Sequence, residues 1–225
     1  MKNKMHTKRI VIPKSWPLPK KNNTFVVSPM PGKLKERSIA LAVLLRDLLQ
    51  ETKTLKETKK VIKSGEIEIN SKIIRDEKFP VTIFDRIFIK KLNKYFTLYL
   101  ENTGKIKVKE IDSKKYLYKP VRIIGKTILK NKKIQLNLEE GYNLFVDKNE
   151  FKTGDSVLIN LKNKKIEKIL PLNKGAIVLL IKGELTGKIG KVIDVQEKKV
   201  KIKLGDQEKE MSPNNLYVIE ENEIK

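Results

Sequence analysis

The sequence predicts an α+β protein that is mostly β and is built from several small units. Three observations support this prediction: two short helical patterns lie between residues 38 and 63, short alternating strands follow from Tyr95 onward, and a glycine-rich loop surrounds Gly187. Hydrophobic residues make up only 39% of the 225 residues, so we expect several small cores rather than one deep core. The predicted segments are 1–32, 33–94, 95–172 and 173–225.

Positive charge dominates the composition. Fifty Lys and Arg residues face twenty-seven Asp and Glu residues, so the net charge is +23. Residues 1–63 carry sixteen basic and four acidic residues, a net charge of +12, whereas the chain from Gly205 onward is acidic. Such a field attracts polyanions, of which nucleic acid is the commonest and an acidic membrane surface is the alternative.

The sequence lacks the features of several other classes of protein. No apolar run approaches the ~18 residues that span a bilayer, and no signal-peptide core follows the basic N-terminus. The absence of cysteine excludes disulfides and thiolate zinc sites. We therefore expect a cytoplasmic protein with no membrane partner.

Residues 1–32 are predicted to form an extended basic arm. Its prolines forbid a long helix, and it holds too little apolar material for a core of its own. We therefore expect the arm to be mobile in the free protein up to about Pro31. Trp16 either anchors the arm to the helical segment or stacks on a base or ribose. His6 is the only histidine, and we assign it no metal.

Residues 33–94 are predicted to form a helical pair followed by a bent hairpin. The second helix begins at Thr54, with Glu57 three residues later as a capping box, and it ends at Gly65. The inward face of the first helix consists of Leu41, Leu44, Leu45, Leu48 and Leu49. This order of elements resembles the S4-type RNA-binding domain, which implies that a basic helical face lies on structured RNA. A generic helical pair with a solvated lysine face is the alternative.

Residues 95–172 are predicted to form a small β-barrel or sandwich. A hairpin signal surrounds Asn102 and Gly104, and further short strands end at Gly125 and Gly141. Strands at this spacing, with glycine or asparagine turns and no helical period, are typical of small all-β units. The lysines between these strands are interpreted mostly as a solvated face.

Residues 173–225 are predicted to form an SH3-like barrel. An apolar run is followed by Gly183, Gly187 and Gly190, and this pattern is similar to a KOW motif. Glycine lets the backbone adopt a positive φ or approach an RNA phosphate closely, although a purely structural corner is the alternative. The loop is one residue too short for a phosphate-binding Walker A loop, and Ile189 stands where that loop needs Ser or Thr.

No catalytic site is predicted. Carboxylate pairs such as Glu139 and Glu140 are adjacent in sequence, and neighbouring strand residues point to opposite faces of a sheet. The sequence shows no nucleophile–base arrangement and no metal-ligand spacing. We therefore expect no enzyme activity, no metal, no cofactor and no small-molecule substrate.

The order of the four segments resembles the small-subunit ribosomal protein family S4e of archaea and eukaryotes. The resemblance is carried by Lys8, Arg9, Pro13, Lys14 and Trp16 in the arm, by Phe84, Asp85 and Ile87, and by Thr103, Gly104 and Lys105. It implies a structural ribosomal protein that binds small-subunit ribosomal RNA beside neighbouring ribosomal proteins. An RNA-binding regulatory or transcription-elongation factor with a KOW unit is the alternative, and an RNA-modifying enzyme would need a catalytic domain.

The candidate RNA-binding residues lie in the arm, on the helical pair and in the glycine loop. They are Lys8, Arg9, Lys14, Trp16, Lys33, Lys35, Arg37, Arg46, Lys53, Lys56, Lys59, Lys60, Lys182, Gly187 and Lys188.

Overall fold

Strand content exceeds helix content, 42% against 16%, in the computed structural model of the protein, so the predicted mostly-β class is confirmed. The structure describes residues 7–21, 23–129, 133–146, 150–196, 199–205 and 207–220. These residues divide into two compact units, with the division between Leu117 and Tyr118. The finer four-segment division stays a prediction.

The strands, in chain order, are β1 (Thr7–Lys8), β2 (Phe25–Val26), β3 (Ser38–Ala40), β4 (Ile67–Ile69), β5 (Lys72–Ile73), β6 (Pro80–Thr82), β7 (Arg86–Ile89), β8 (Lys94–Leu100), β9 (Ile106–Ile111), β10 (Tyr118–Ile128), β11 (Ile134–Leu138), β12 (Asn143–Val146), β13 (Ser156–Asn160), β14 (Ile166–Leu170), β15 (Ile177–Leu180), β16 (Ile189–Val195), β17 (Val200–Leu204), β18 (Gln207–Met211) and β19 (Leu216–Val218). The α-helices are α1 (Leu41–Val43), α2 (Leu55–Lys63) and α3 (Ser113–Tyr116).

The helical pair of the first unit follows the predicted pattern with one change. Residues 38–40 form strand β3, which pairs with β6, before α1 begins. A π-helical turn, Leu44–Leu48, continues directly from α1. Leu41, Leu44 and Leu45 are fully or almost fully buried, as the leucine spacing predicts.

Helix α2 has both predicted boundaries. The backbone N–H of Glu57 donates to Thr54 Oγ1 at 3.2 Å, and the backbone N–H of Thr54 donates to Glu57 Oε2 at 3.2 Å. These reciprocal bonds satisfy amide groups that would otherwise lack a partner at the start of the helix. Gly65 follows the helix with φ +80°, a conformation that favours glycine.

The first unit also contains a five-stranded antiparallel sheet in the order β5-β4-β7-β8-β9. Asn70 and Ser71 join β4 to β5 with φ values of 51° and 62°, as a two-residue hairpin of the primed type requires. The hairpin of β8 and β9 turns around Gly104, as predicted. Both of these strands belong to the first unit, because β8 pairs with β7.

The described part of the N-terminal arm, residues 7–21 and 23–32, packs against other residues of the first unit, whereas the sequence predicts a mobile segment. Strands β1 and β2 pair with each other, and Ile12, Trp16 and Leu18 are buried. Trp16 Nε1 donates to the carbonyl oxygen of Lys35 at 3.1 Å, and the backbone N–H of Ile106 donates to the carbonyl oxygen of Ser15 at 2.8 Å. The arm lacks a core of its own but shares the core of residues distant in sequence.

The second unit contains two antiparallel sheets. The first has the order β12-β11-β10-β13-β14 and encloses a core that includes Val121, Ile123, Leu136 and Val157. Residues of its two end strands, β12 and β14, line the same groove, so this sheet curls into a half-barrel. The second sheet has the order β18-β17-β16-β15-β19 around Val178, Ile202 and other aliphatic residues.

Buried hydrogen bonds connect the two sheets of the second unit. Tyr217 Oη donates to the carbonyl oxygen of Pro120 at 2.7 Å. Arg122 Nη1 and Nη2 donate to the backbone and side-chain oxygens of Asn214 at 3.0 and 2.8 Å. Burial raises the pKa of the Tyr217 hydroxyl well above its ordinary value, so this hydroxyl stays a donor.

We predict that Trp16→Ala destabilises the protein by about 3–5 kcal/mol, since it removes a buried indole and its hydrogen bond. Chemical denaturation of the purified protein would measure the change in the free energy of unfolding. Limited proteolysis should also cut the variant faster before residue 31 than it cuts the wild type there.

Ile10→Ala is the matched control, because Ile10 also lies in the arm but is 70% exposed. Its effect should stay within about ±0.5 kcal/mol. Equal effects of the two substitutions, or rapid cleavage of the wild-type arm, would show that Trp16 does not hold the arm in place.

Candidate nucleic-acid interface

Helix α2 presents an exposed basic face in the first unit. Thr58 and Ile62 are buried on its inner side, which turns Lys56 and Lys60 outward into solvent, and Lys53, just before the cap residue Thr54, is also exposed. We call these three lysines the α2 face. None of them forms an ion pair with another residue in the described part of the chain. Three adjacent unpaired cations on a capped helix can each approach a phosphate of an RNA backbone.

Nearby carboxylates partly neutralise the charge of two other candidate residues of the helical pair. Lys59 Nζ lies 3.0 Å from Glu77 Oε1, and Arg46 Nη2 lies 2.7 Å from Asp47 Oδ2. The hydrogen bond from Lys59 lowers the pKa of the Glu77 carboxyl, so this acid stays ionised at neutral pH. Lys59 and Arg46 can therefore contact RNA only in competition with these carboxylates.

The structure places some of the predicted arm residues inside the protein. Arg9 is 2% exposed; it donates to the carbonyl oxygen of Pro19 at 3.2 Å and lies 3.5 Å from Asp47 Oδ1. Arg37 is likewise buried. Trp16 is 3% exposed and anchors the arm, so its ring offers no face for base stacking. The sequence interpretation of these three residues as RNA contacts is corrected accordingly.

Lys33 forms an ion pair with the buried carboxylate of Asp85. Its Nζ atom lies 3.2 Å from Asp85 Oδ2, and the side chain of Asp85 is fully buried. The same carboxylate accepts bonds from Asn70 Nδ2 at 2.6 Å and from the backbone N–H of Thr82 at 2.7 Å. Lys33 therefore has a structural role here. The sequence reasoning missed Asp85 as its partner, because 52 positions separate the two residues.

The remaining candidate residues of the first unit are at the surface. Lys8, Lys14 and Lys35 are exposed along the arm and the turn that follows it. Together with the α2 face, they are the predicted residues of this unit that are free to meet a polyanion.

The glycine loop between β15 and β16 has the backbone that the sequence predicts. Gly183 and Gly187 both have φ +92°, and the N–H of Gly187 donates to the carbonyl oxygen of Leu180 at 2.7 Å. Lys182 and Lys188 are exposed at the two ends of the loop. The loop therefore offers two cations beside a backbone that depends on glycine.

Gly190 has a different role from the other two glycines. It lies in strand β16, and a β-carbon there would lie 2.5 Å from Ile202 Cγ2 and 2.9 Å from the carbonyl oxygen of Lys203. A β-carbon cannot lie this close to a non-bonded carbon or oxygen atom, so glycine at this position permits close packing inside the sheet. Gly190 therefore contributes to the core and not to a loop surface.

We searched the described part of the chain for metal-binding clusters and for membrane-spanning helices. The described residues contain no group of three or more His, Asp or Glu side chains placed to hold a metal ion. Among the same residues, no helix is both long enough and apolar enough to cross a bilayer.

Known proteins similar to this chain include members of one ribosomal protein family. Residues 92–166 match the sequence model of the ribosomal family S4e, and residues 1–32 match that of the RS4NT domain. The small ribosomal subunit protein eS4 of Archaeoglobus fulgidus is 36% identical over 189 residues, which cover 84% of this chain and 79% of that protein. Its counterpart in Nanoarchaeum equitans is 34% identical over 194 residues, which cover 85% of this chain and 82% of that protein.

A solved structure has the same fold. The crystal structure of the 30S ribosomal protein S4e from Thermoplasma acidophilum superimposes with a TM-score of 0.70 at 19% identity, covering 81% of this chain and 95% of that one. The sequence relatives establish more than the fold, because more than a third of the aligned residues are identical to those of the Archaeoglobus fulgidus protein over most of both chains. The chain therefore belongs to the S4e family of ribosomal proteins.

Proposed function

We propose that the protein is a structural component of the small ribosomal subunit and that it binds small-subunit ribosomal RNA. The observation that carries the proposal is the identity of 36% with a small ribosomal subunit protein over 84% of the chain. Its partners are the RNA of that subunit and neighbouring ribosomal proteins, and its location is the cytoplasmic ribosome. The proposal includes no catalytic step.

The charge distribution supports the RNA-binding part of the proposal. The net charge of +23 is concentrated in the N-terminal part of the chain, where the α2 face leaves three lysines unpaired among the described residues. Contacts of this kind bind phosphates and position a protein on RNA without reading its sequence. The S4-type interpretation of the helical pair and the KOW interpretation of the glycine loop remain part of this proposal.

Sedimentation of cell extract through sucrose gradients tests the proposed function. We expect the protein to sediment with the small subunit at low salt and to stay there at high salt, since contacts with RNA shape and with neighbouring ribosomal proteins hold an assembled protein in addition to its salt-sensitive phosphate contacts. A regulatory or elongation factor would be released by modest salt. Release of most of the protein at modest salt would contradict the proposal.

We predict that replacing Lys56, Lys59 and Lys60 together with Ala weakens binding to small-subunit RNA. The slope of log affinity against log salt concentration should flatten by roughly 0.7–0.9 for each lysine–phosphate pair that the substitutions remove. The free energy of unfolding should change by less than about 1 kcal/mol, because exposed substitutions have small effects and the pair of Lys59 with Glu77 is partly exposed. Filter binding at several salt concentrations, together with chemical denaturation, measures both quantities.

The matched control replaces Lys162, Lys203 and Lys209 with Ala, which removes the same charge from exposed positions in the second unit. We expect a smaller loss of affinity and a smaller change of slope for this control. Equal changes in the two triple variants would mean that only net charge matters and that the α2 face is not a specific RNA surface.

We predict that Gly187→Val lowers RNA affinity by more than its effect on stability explains. Valine at φ +92° should cost at least about 1 kcal/mol of strain, and since Gly187 is buried, the added side chain would also displace the loop that carries the exposed Lys182 and Lys188. RNA binding is measured below the melting temperature of the variant, with its folded fraction determined by circular dichroism.

Gly183→Val is the matched control for this position. Gly183 has the same φ, and a β-carbon there meets no atom within 4 Å, so the two variants share the backbone strain. A loss of RNA affinity for Gly187→Val that exceeds its loss of stability supports an RNA contact by the loop, whose backbone the buried Gly187 supports. Loss of stability and of affinity in proportion would make the loop a structural corner, and no effect on either would remove the main support for the KOW interpretation.

A further inference from the structure

The half-barrel of the second unit is open on one side, and the opening is a groove. The groove has a volume of about 590 Å³. Strands β12 and β14 are the two end strands of the sheet, and residues of both line this groove. The sheet therefore curls until its two edges face each other across a gap. Among the described residues, β12 pairs only with β11 and β14 pairs only with β13.

The core of this sheet is incomplete at the same gap. Leu144 and Val146 of β12 and Ile166 and Ile169 of β14 pack against the core but are only partly buried. Phe145 of β12 also lines the groove and is 65% exposed. Exposed strand edges beside an apolar surface are unfavourable unless something covers them, because they are templates for pairing with another strand.

The charge at the rim of the groove is positive on balance, with three lysines against one acid, Glu167. Lys164 and Lys165 line it, are exposed, and form no ion pair within the described part of the chain. Lys168 lines it as well and lies 2.7 Å from Glu220. An occupant that carries carboxylates would pair with the two unpaired lysines.

We propose that this groove is the docking site for one extended, acidic-apolar peptide segment of a partner protein. The segment adds a strand to the open edge of β12 or of β14 by backbone hydrogen bonds. Its apolar side chains cover Leu144, Val146 and Ile166, and its carboxylates face Lys164 and Lys165. The addition closes the half-barrel, as a full circle of strands would.

The lining favours a peptide over RNA. RNA bases stack on flat aromatic or guanidinium groups, whereas four of the ten residues that line this groove are branched aliphatic and two are aromatic. Its aromatic members are Phe145 and Phe151, and Phe151 is buried in the core. The strand edges on both sides of the groove offer backbone donors and acceptors, which an extended peptide can satisfy along its whole length.

The test uses the full-length protein and a fluorescent hexapeptide of alternating glutamate and isoleucine, which is about 20 Å long when extended. Fluorescence anisotropy measures its affinity, and hydrogen exchange followed by NMR locates its site. We expect saturable binding, with slowed exchange of outward-pointing amides in β12 or β14. The same peptide with alternate backbone nitrogens methylated should not bind, since it lacks the donors for strand addition.

Charge reversal at the rim of the groove is the second part of the test. Lys164→Glu combined with Lys165→Glu should weaken the glutamate–isoleucine peptide about tenfold, because two exposed ion pairs become repulsive contacts. Lys203→Glu combined with Lys209→Glu is the matched control, with the same change of net charge at exposed positions on the other sheet of this unit. Its effect should be much smaller.

Several results would overturn the proposal. These are no binding up to about 1 mM peptide, equal binding of the methylated peptide, equal effects of the two charge reversals, or slowed exchange outside β12 and β14. If concentrating the protein without peptide slows the exchange of the groove amides, and sedimentation shows a dimer, the groove binds a second copy of this chain. Displacement of the peptide by oligouridylate, with slowed exchange of the same groove amides, would make the groove an RNA site.

Discussion

The buried carboxylate of Asp85 is the interaction on which the arrangement of the first unit depends. It accepts hydrogen bonds from the side chain of Asn70, from the backbone and hydroxyl of Thr82, and from Lys33. A buried charge costs several kcal/mol unless it is paired and hydrogen-bonded, so these donors have to be in place together. Asp85 thereby fixes the β4–β5 turn, strand β6 and the segment after the arm relative to one another.

Features set by short-range chemistry were predictable from the sequence. The capping box of α2 needs only Thr54 and Glu57, and the end of that helix needs only a residue that tolerates positive φ, at Gly65. The two-residue turn at Asn70 and Ser71 and the hairpin at Gly104 follow from the same kind of local preference. Each of these predictions rests on residues a few positions apart.

The errors in prediction arise where the partner is distant in sequence. The arm was expected to be mobile because residues 1–32 contain too little apolar material for a core, yet Trp16 is buried and bonds to Lys35 in the following segment. Nothing near residue 16 specifies that contact. The same holds for Lys59 and Glu77, whose ion pair could not be read from either residue alone. The composition of a segment indicates whether it can fold alone, but it does not indicate whether another segment supplies its core.

Positive charge in this protein is not equivalent to an RNA surface. Lys119 is fully buried in the second unit, where it pairs with Glu140 and lies 5.4 Å from the ring centre of Tyr142. Arg122 is also buried, and it bonds to a loop of the other sheet. Taking such groups out of water is expensive, so part of the charge is structural: Lys119 binds the turn between β11 and β12, and Arg122 connects the two sheets.

The charge that we propose binds RNA is therefore the part that the fold leaves without carboxylates. In the helical pair that part includes Lys53, Lys56 and Lys60, which the cap and the buried side of α2 hold outward together. Acids placed elsewhere in the chain, such as Asp47 and Glu77, determine which neighbouring cations are excluded from that group. The position of a basic interface thus depends as much on where the fold brings acidic residues as on where the lysines lie in the sequence.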